Sequence, residues 1–340
     1  MFRPLSATAL VLAALPAHAE SPRVVADVAP VHSLVAQVME GIGSPSLLVE
    51  PGGDVHHLAM RPSVASALEG ATLIVHVGTE LTPWLEAPLA RQGEDATVLT
   101  LMDAPGWTPR EFDAAEGMAP TEVSATDEAG QDAHDHGDDH GHDDHAHEDH
   151  DDHAAEAGHE DHADGHAHEG VDPHAWLDPQ AAAAWVEAIR AALAEADPEN
   201  AETYARNAAA TTERLAGIEE EISRRLLALP QGGWIAPHDA YGYFEDRFAF
   251  PAAGVVTDAE DAAPGPAHLA ELRAMVAGGE VTCVLAAPGG DTGAAQMLVR
   301  GSDARTGTLD ATGAGLEPGP QLYAALMTGI ADSLETCLAQ

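Results

Sequence analysis

Apolar residues along the chain alternate between two periods. Arg23–Asp27, Leu47–Val49, Thr72–Val77 and Thr97–Leu101 are short runs rich in Val, Leu and Ile, and they predict strands. Between them, Val31–Met39, Pro62–Glu69 and Thr82–Gln92 space their apolar residues as helices do. Gly41 and Gly70 stand where the first two helices should stop, and Pro62 where the second should start. The alternation returns toward the C-terminus. Trp234–Ala236, Ala253–Val256, Val281–Ala286 and Gly307–Asp310 read as strands, and Tyr241–Arg247, Ala267–Val276, Ala294–Val299 and Leu322–Leu338 as helices. Strands alternating with helices predict an α/β fold with parallel sheets, here in two similar βα lobes.

One long helical stretch separates the lobes. Asp197 is a good N-cap and Pro198 suits a first helical position. Tyr204, Ala208, Thr211, Leu215, Ile218, Ile222, Leu226 and Leu229 then follow three- and four-residue steps, and Pro230 ends the run. Glu220–Arg224 and Glu221–Arg225 are helical charge pairs. About 30 residues make a rigid helix of roughly 45 Å, enough to join one lobe to the other; the alternative is packing on one lobe only. The expected division is a signal peptide over 1–19, an N-terminal lobe over 20–196, a linking helix over 197–230 and a C-terminal lobe over 231–340.

The signal peptide rests on Arg3, the apolar run Leu5–Leu15 broken only by Ser6 and Thr8, and the cleavage pattern Ala17-His18-Ala19. That run is too short for a membrane helix, and no later stretch is long enough, so no direct membrane insertion is expected. No cysteine follows the cleavage point, so no lipid anchor is implied, and a periplasmic location is expected. In that oxidising compartment Cys283 and Cys337 form one disulfide, or stay as two buried thiols.

Charge narrows the partners. The chain carries 57 acidic residues against 14 basic ones, all arginine, for a net charge of −43. A polyanion repels nucleic acid and anionic lipid and attracts cations. Residues 127–169 concentrate this character. They hold His134, His136, His140, His142, His145, His147, His150, His153, His159, His162, His166 and His168 among aspartates and glutamates, with no apolar residue but alanine. Such a segment cannot bury a core and is expected to be disordered without ligand. Imidazole beside carboxylate suits zinc, copper or nickel, with modest affinity per site because ordering a flexible segment costs entropy.

The remaining histidines after the signal peptide are His32, His56, His57, His76, His174, His238 and His268, and their spacing alone selects no ligand set. There is no HExxH, no G-x-S-x-G, no P-loop and no dinucleotide fingerprint. Gly289-Gly290 and Gly313-Ala314-Gly315 read as turns. His76 in an apolar strand reads as core or cleft wall, His268 as a solvated helix-start residue, and His32 could line a cleft.

Longer motifs say more. His57-Leu58-Ala59-Met60-Arg61-Pro62-Ser63 resembles the first metal-ligand motif of the zinc-binding proteins of bacterial ABC importers, the ZnuA type. Asp172-Pro173-His174-Ala175-Trp176-Leu177-Asp178-Pro179 resembles the second, and His238-Asp239-Ala240-Tyr241-Gly242-Tyr243-Phe244 the third. Gly307-Thr308-Leu309-Asp310 is similar to the segment where relatives place an aspartate near the metal. The acidic, histidine-rich insert and the cysteine pair also fit the family, and the likeness spans nearly the whole chain.

The resemblance implies two α/β lobes joined by one rigid helix, with metal in the interlobe cleft. It implies zinc as cargo, held by His57 and His174 from the N-terminal lobe and His238 from the C-terminal lobe. Three imidazoles and a fourth position suit zinc. Asp310 is the possible fourth ligand; otherwise it orients a histidine, or water fills the position. His56 could replace or supplement His57. Ala287 stands where many zinc relatives carry glutamate, and His238 where manganese-binding relatives tend to carry it; nitrogen there favours zinc. The expected role is periplasmic zinc capture by a monomer that delivers to an ABC permease, not an enzyme. The alternatives are manganese, iron or copper as cargo, a periplasmic zinc buffer, or a zinc hydrolase.

Overall fold

The computed structural model describes residues 21–92, 96–112, 170–230, 233–258, 263–290 and 292–339. The predicted signal peptide and the histidine-rich insert lie outside the described residues.

Two four-stranded parallel sheets form the frame. The first contains β1 (Val24–Ala26), β2 (Ser46–Leu47), β3 (Leu73–His76) and β4 (Thr97–Thr100), ordered β2-β1-β3-β4. The second contains β5 (Trp234–His238), β6 (Gly254–Thr257), β7 (Cys283–Ala286) and β8 (Arg305–Thr308), ordered β6-β5-β7-β8. The two orders are the same pattern, as two similar βα lobes require. The helices of the first lobe are α1 (Ala29–Val38), α2 (Pro62–Gly70), α3 (Glu86–Gln92) and α4 (Pro179–Ala196). α5 (Ala201–Leu226) links the lobes. α6 (Gly242–Phe248), α7 (Pro266–Gly278), α8 (Gly293–Leu298) and α9 (Leu322–Leu338) belong to the second lobe. No helix among the described residues is long and apolar enough to cross a membrane.

The period-two alternation of the strands decides where each face points. Val24 and Ala26 of β1, Leu73 and Val75 of β3, Trp234 and Ala236 of β5, and Cys283 and Leu285 of β7 all join one core. The intervening residues turn outward into a separate packing layer for each lobe: Val25 and Ile74 in one, Ile235 and Val284 in the other. The shared core also takes in α1, α4, α5 and α9, so one continuous apolar body runs through both lobes.

The linking helix lies against both. Near its start Asn207 Nδ2 donates to the carbonyls of Val38 at 2.9 Å and Glu40 at 2.8 Å, and at its middle Arg214 Nε donates to Gln37 Oε1. Toward its end Arg225 binds Glu335 of α9 through Nε at 2.8 Å and Nη2 at 2.7 Å, and also pairs with Asp332. Its 26 residues span roughly 39 Å, and Tyr204, Ala208, Thr211, Leu215, Ile222 and Leu226 form the buried stripe. Cys283 and Cys337 are disulfide-bonded with Cα atoms 5.6 Å apart, pinning α9 to β7.

Several expectations shift. α5 begins at Ala201 after a single 3₁₀ turn over Pro198–Asn200. The Asp197 carboxylate accepts from Asn200 Nδ2 and Tyr204 OH instead of capping the helix. The last strand is Arg305–Thr308, so Asp310 lies in the loop beyond it. Thr82–Gln92 divides into a 3₁₀ turn over Pro83–Leu85 and α3. α4 lies outside the elements expected from sequence, although Trp185, Val186, Ile189 and Leu193 follow helical steps along it. Asp178 caps it by accepting from Gln180 N at 2.8 Å, with Pro179 opening it.

His76 ends β3, buried, with Nε2 3.0 Å from Thr100 Oγ1. Burial depresses its pKa to about 4, so the native state holds it neutral. The unfolded chain takes up its proton near pH 6.5, so stability present above that value is lost as pH falls toward 4. The loss expected at this residue is on the order of 3 kcal/mol. Denaturant titrations at pH 7 and pH 4.5 should therefore show a smaller acid-induced loss in His76→Gln than in wild type. Equal losses would place the acid sensitivity elsewhere.

Candidate metal centre

In open parallel sheets, ligands collect beyond the carboxyl ends of the strands, where the strand order reverses. In the second lobe that point lies between β5 and β7, and His238 is the last residue of β5. In the first lobe the equivalent crevice between β1 and β3 is closed by Asp27. Its carboxylate is fully buried and accepts from Val28 N through Oδ1 and from Val77 N through Oδ2, both at 2.8 Å. Burial pushes its pKa up to about 7.

His174 enters from the first lobe, at the head of a 3₁₀ turn over Ala175–Leu177. Asp172 Oδ1 accepts from the His174 backbone N at 2.9 Å and from its Nδ1 at 2.8 Å. A proton held on Nδ1 by a carboxylate leaves Nε2 with its lone pair outward, the form a metal needs. Asp172 is fully buried and His174 nearly so. The indole of Trp176 packs on the His174 ring at 5.3 Å and donates from Nε1 to Ala311 O at 2.7 Å.

The rings of His174 and His238 lie 6.1 Å apart, centroid to centroid. The His56 ring lies 6.4 Å from that of His174. Two imidazoles sharing one tetrahedral zinc at ~2.0–2.1 Å would have centroids roughly 5 Å apart, so the His174–His238 pair stands roughly 1 Å too far apart, and among the described residues no three His, Cys, Asp or Glu side chains are gathered closely enough to hold an ion as they stand. His57 stands differently. Its ring is 6.4 Å from that of His56, its side chain is 68% exposed, and its Nδ1 lies 3.3 Å from Asp54 Oδ2. Asp54 Oδ1 accepts from the backbone N of His56 at 2.8 Å and of His57 at 2.9 Å, fixing the turn that presents both. Asp54 is absent from the sequence expectations; the signal that could have found it is its position two and three residues before the histidine pair, the reach of an Asx turn.

Asp310 lies on the same cleft as His238, Asp54 and Tyr241, a space of about 570 Å³ also bordered by Ala287. Asp310 Oδ1 accepts from Thr312 N at 2.9 Å and Gly313 N at 2.8 Å, holding the carboxylate at the loop mouth. Gly313 sits at φ 80°, a left-handed conformation that favours glycine. His32 is buried on α1 with Nε2 3.1 Å from Pro45 O. His268, expected in solvent, places Nε2 2.8 Å from Val255 O and is half-buried.

Bridges between the lobes ring this centre. Arg247 of α6 forks onto Asp178, with Nε at 2.6 Å from Oδ1 and Nη2 at 2.7 Å from Oδ2. Tyr323 OH donates to Trp176 O at 2.7 Å, and Tyr323 N donates to Ser33 Oγ at 3.0 Å.

The family described as zinc-uptake complex component A, periplasmic (ZnuA) matches residues 24–337. The chain is 37% identical over 342 residues to the high-affinity zinc uptake system protein ZnuA of Paracoccus denitrificans, covering 99% of each. It is 38% identical over 320 residues to that of Brucella suis, covering 93% of this chain and 92% of the relative. A zinc-bound ZnuA crystal structure lacking residues 138–173 superposes with a TM-score of 0.68 at 18% identity, covering 94% of this chain and 99% of that one. A manganese-bound periplasmic metal-binding protein from Candidatus Liberibacter asiaticus gives 0.65 at 17%, covering 92% and 99%. At such identities the two structures speak for the fold.

Asp172→Asn keeps the shape of the His174 support but loses its charge. Removing such a partner typically costs 10–100-fold in metal affinity, and that loss is expected here with the fold intact. Competition titration against a chromophoric zinc chelator measures it; an unchanged affinity would mean that Asp172 does not serve a metal ligand.

Proposed function

This chain belongs to the ZnuA family of periplasmic zinc-uptake components, and we propose that it captures one zinc ion between imidazoles of its two lobes and delivers it to the permease of an ABC importer. The observation that carries the reading is the approach of His174 and His238, 6.1 Å apart from opposite lobes, with Nδ1 of His174 committed to Asp172. Neutral imidazole is a good zinc ligand, and a set dominated by imidazole nitrogen favours zinc over the harder manganese.

The third imidazole comes from the His56–His57 pair. Motif resemblance points to His57, whereas the ring positions favour His56, which neighbours His174 while His57 leans out toward Asp54. Asp310 supplies the fourth position, or leaves it to water. The twelve histidines between 134 and 168 would collect zinc when it is abundant, with lower affinity than the cleft. The chain would act as a monomer and without catalysis. Release would follow docking on the permease, through a small shift at the cleft.

Alanine at His174 or His238 should weaken zinc binding by more than the roughly 10–100-fold typical of losing only a ligand's outer support. His56→Ala should match them, while His57→Ala should cost less than tenfold. A loss in His57→Ala equal to that in His174→Ala would return the first-motif ligand to His57. Deleting residues 113–169 should leave one tight site; loss of that site would make the insert the functional part and favour a buffer. Because zinc displaces protons from imidazole, affinity should fall steeply below roughly pH 6.5. Calorimetry across pH 5 to 7.5, with manganese and copper as competitors, checks both the slope and the cargo.

A further inference from the structure

Arg110 lies where the chain leaves for the histidine-rich insert, and Asp172 where it returns. The two strands of this stem are paired: Phe112 N donates to Gly170 O at 2.9 Å and Asp172 N to Arg110 O at 2.8 Å, around a Glu111–Val171 bridge. The Arg110 guanidinium reaches both lobes. Nη1 is 3.5 Å from Asp172 Oδ2, on the carboxylate whose Oδ1 holds His174. Nε is 3.1 Å from Asp246 Oδ2 on α6, the helix that follows His238. The Arg110 side chain is 17% exposed and Asp172 fully buried, so that pair is desolvated, whereas Asp246 stands 72% exposed at the rim.

Two further features build this seat. Tyr243 of α6 accepts from Arg110 N at 2.7 Å and donates to Asp172 O at 3.1 Å. Burial pushes the phenol up to about 12, so it keeps its donor proton. At the first position of α6, Gly242 leaves bare the surface on which the guanidinium rests; a Cβ there would collide with Arg110 Nη1 and Cζ.

The geometry assigns Arg110 as a positioning residue for the zinc centre: through Asp172 it orients His174, and through Asp246 it holds that imidazole at a set distance from the His238 side of the cleft. It touches no cargo. A guanidinium is the suitable group, because one planar fork serves two carboxylates at once and stays charged. The assignment rests on the zinc reading above.

The test uses the full chain and zinc alone, with dissociation followed by chelator competition and apo-protein melting measured in parallel. Arg110→Gln should speed zinc loss about 10–100-fold, the size of effect seen when a ligand's outer support is removed, with little change in association. Arg110→Lys should recover only part of it. Gly242→Ala is the second probe: alanine is the better helix residue, so the fold should tolerate it, yet the new methyl displaces the guanidinium and should speed zinc loss as well. In Asp172→Asn, adding Arg110→Gln should change little further, because the arginine acts through that carboxylate. Wild-type dissociation in both Arg110→Gln and Gly242→Ala, or full additivity with Asp172→Asn, would overturn the assignment. His174→Ala run alongside separates the two readings: if it too binds normally, the zinc site itself is misplaced.

Discussion

The bond from His174 Nδ1 to the buried Asp172 carboxylate is the contact on which the proposed metal centre depends. An imidazole offers a metal one lone pair only if its other nitrogen keeps the proton, and a carboxylate at 2.8 Å decides which nitrogen that is. The carboxylate is itself held. Arg110 takes its second oxygen, and Tyr243 takes the carbonyl of the same residue. Both contacts lead into α6, so the orientation of a histidine in one lobe is set partly by a helix of the other. The geometry of the cleft and the relative placement of the lobes are therefore one problem.

The two lobes share a topology and use it differently. Each sheet reverses its order beside its first strand, and each thereby opens a crevice. In the first lobe Asp27 fills that crevice with its own carboxylate and satisfies the amides that would otherwise face it. In the second the crevice stays open, and His238 stands at its edge. Ala287 leaves further room, where a larger acidic side chain would narrow the space. A single apolar core, the length of α5 and the Cys283–Cys337 disulfide make this a stiff frame.

A net charge of −43 imposes its own order. Acidic side chains crowd one another unless a cation stands among them, and the chain has only 14 arginines to offer. Three of them occupy seams between elements. Arg225 ties α5 to α9, Arg247 ties α6 to Asp178, and Arg110 ties Asp172 to Asp246. The unbalanced charge elsewhere favours divalent cations as they approach.

The α/β class, the two lobes and most of the strands were legible because burial writes a period into the sequence. The unbroken apolar runs Val24–Ala26 and Leu73–Val75 are forced by a parallel sheet covered on both faces. The stripe from Tyr204 to Leu226 is forced by a helix covering two lobes. The second and third motifs likewise pointed to His174 and His238, whose rings the fold brings to 6.1 Å from each other. What the chain alone left open is what depends on distance through space. The start of α5 moved because Asp197 found Tyr204 and Asn200 instead of a backbone amide. Between His56 and His57, neighbours in sequence, only the turn closed by Asp54 decides which ring meets His174. Arg110 carries no motif at all: its role exists only because folding brings residues 110, 172, 242 and 246 together, and no local period records a contact across 136 positions.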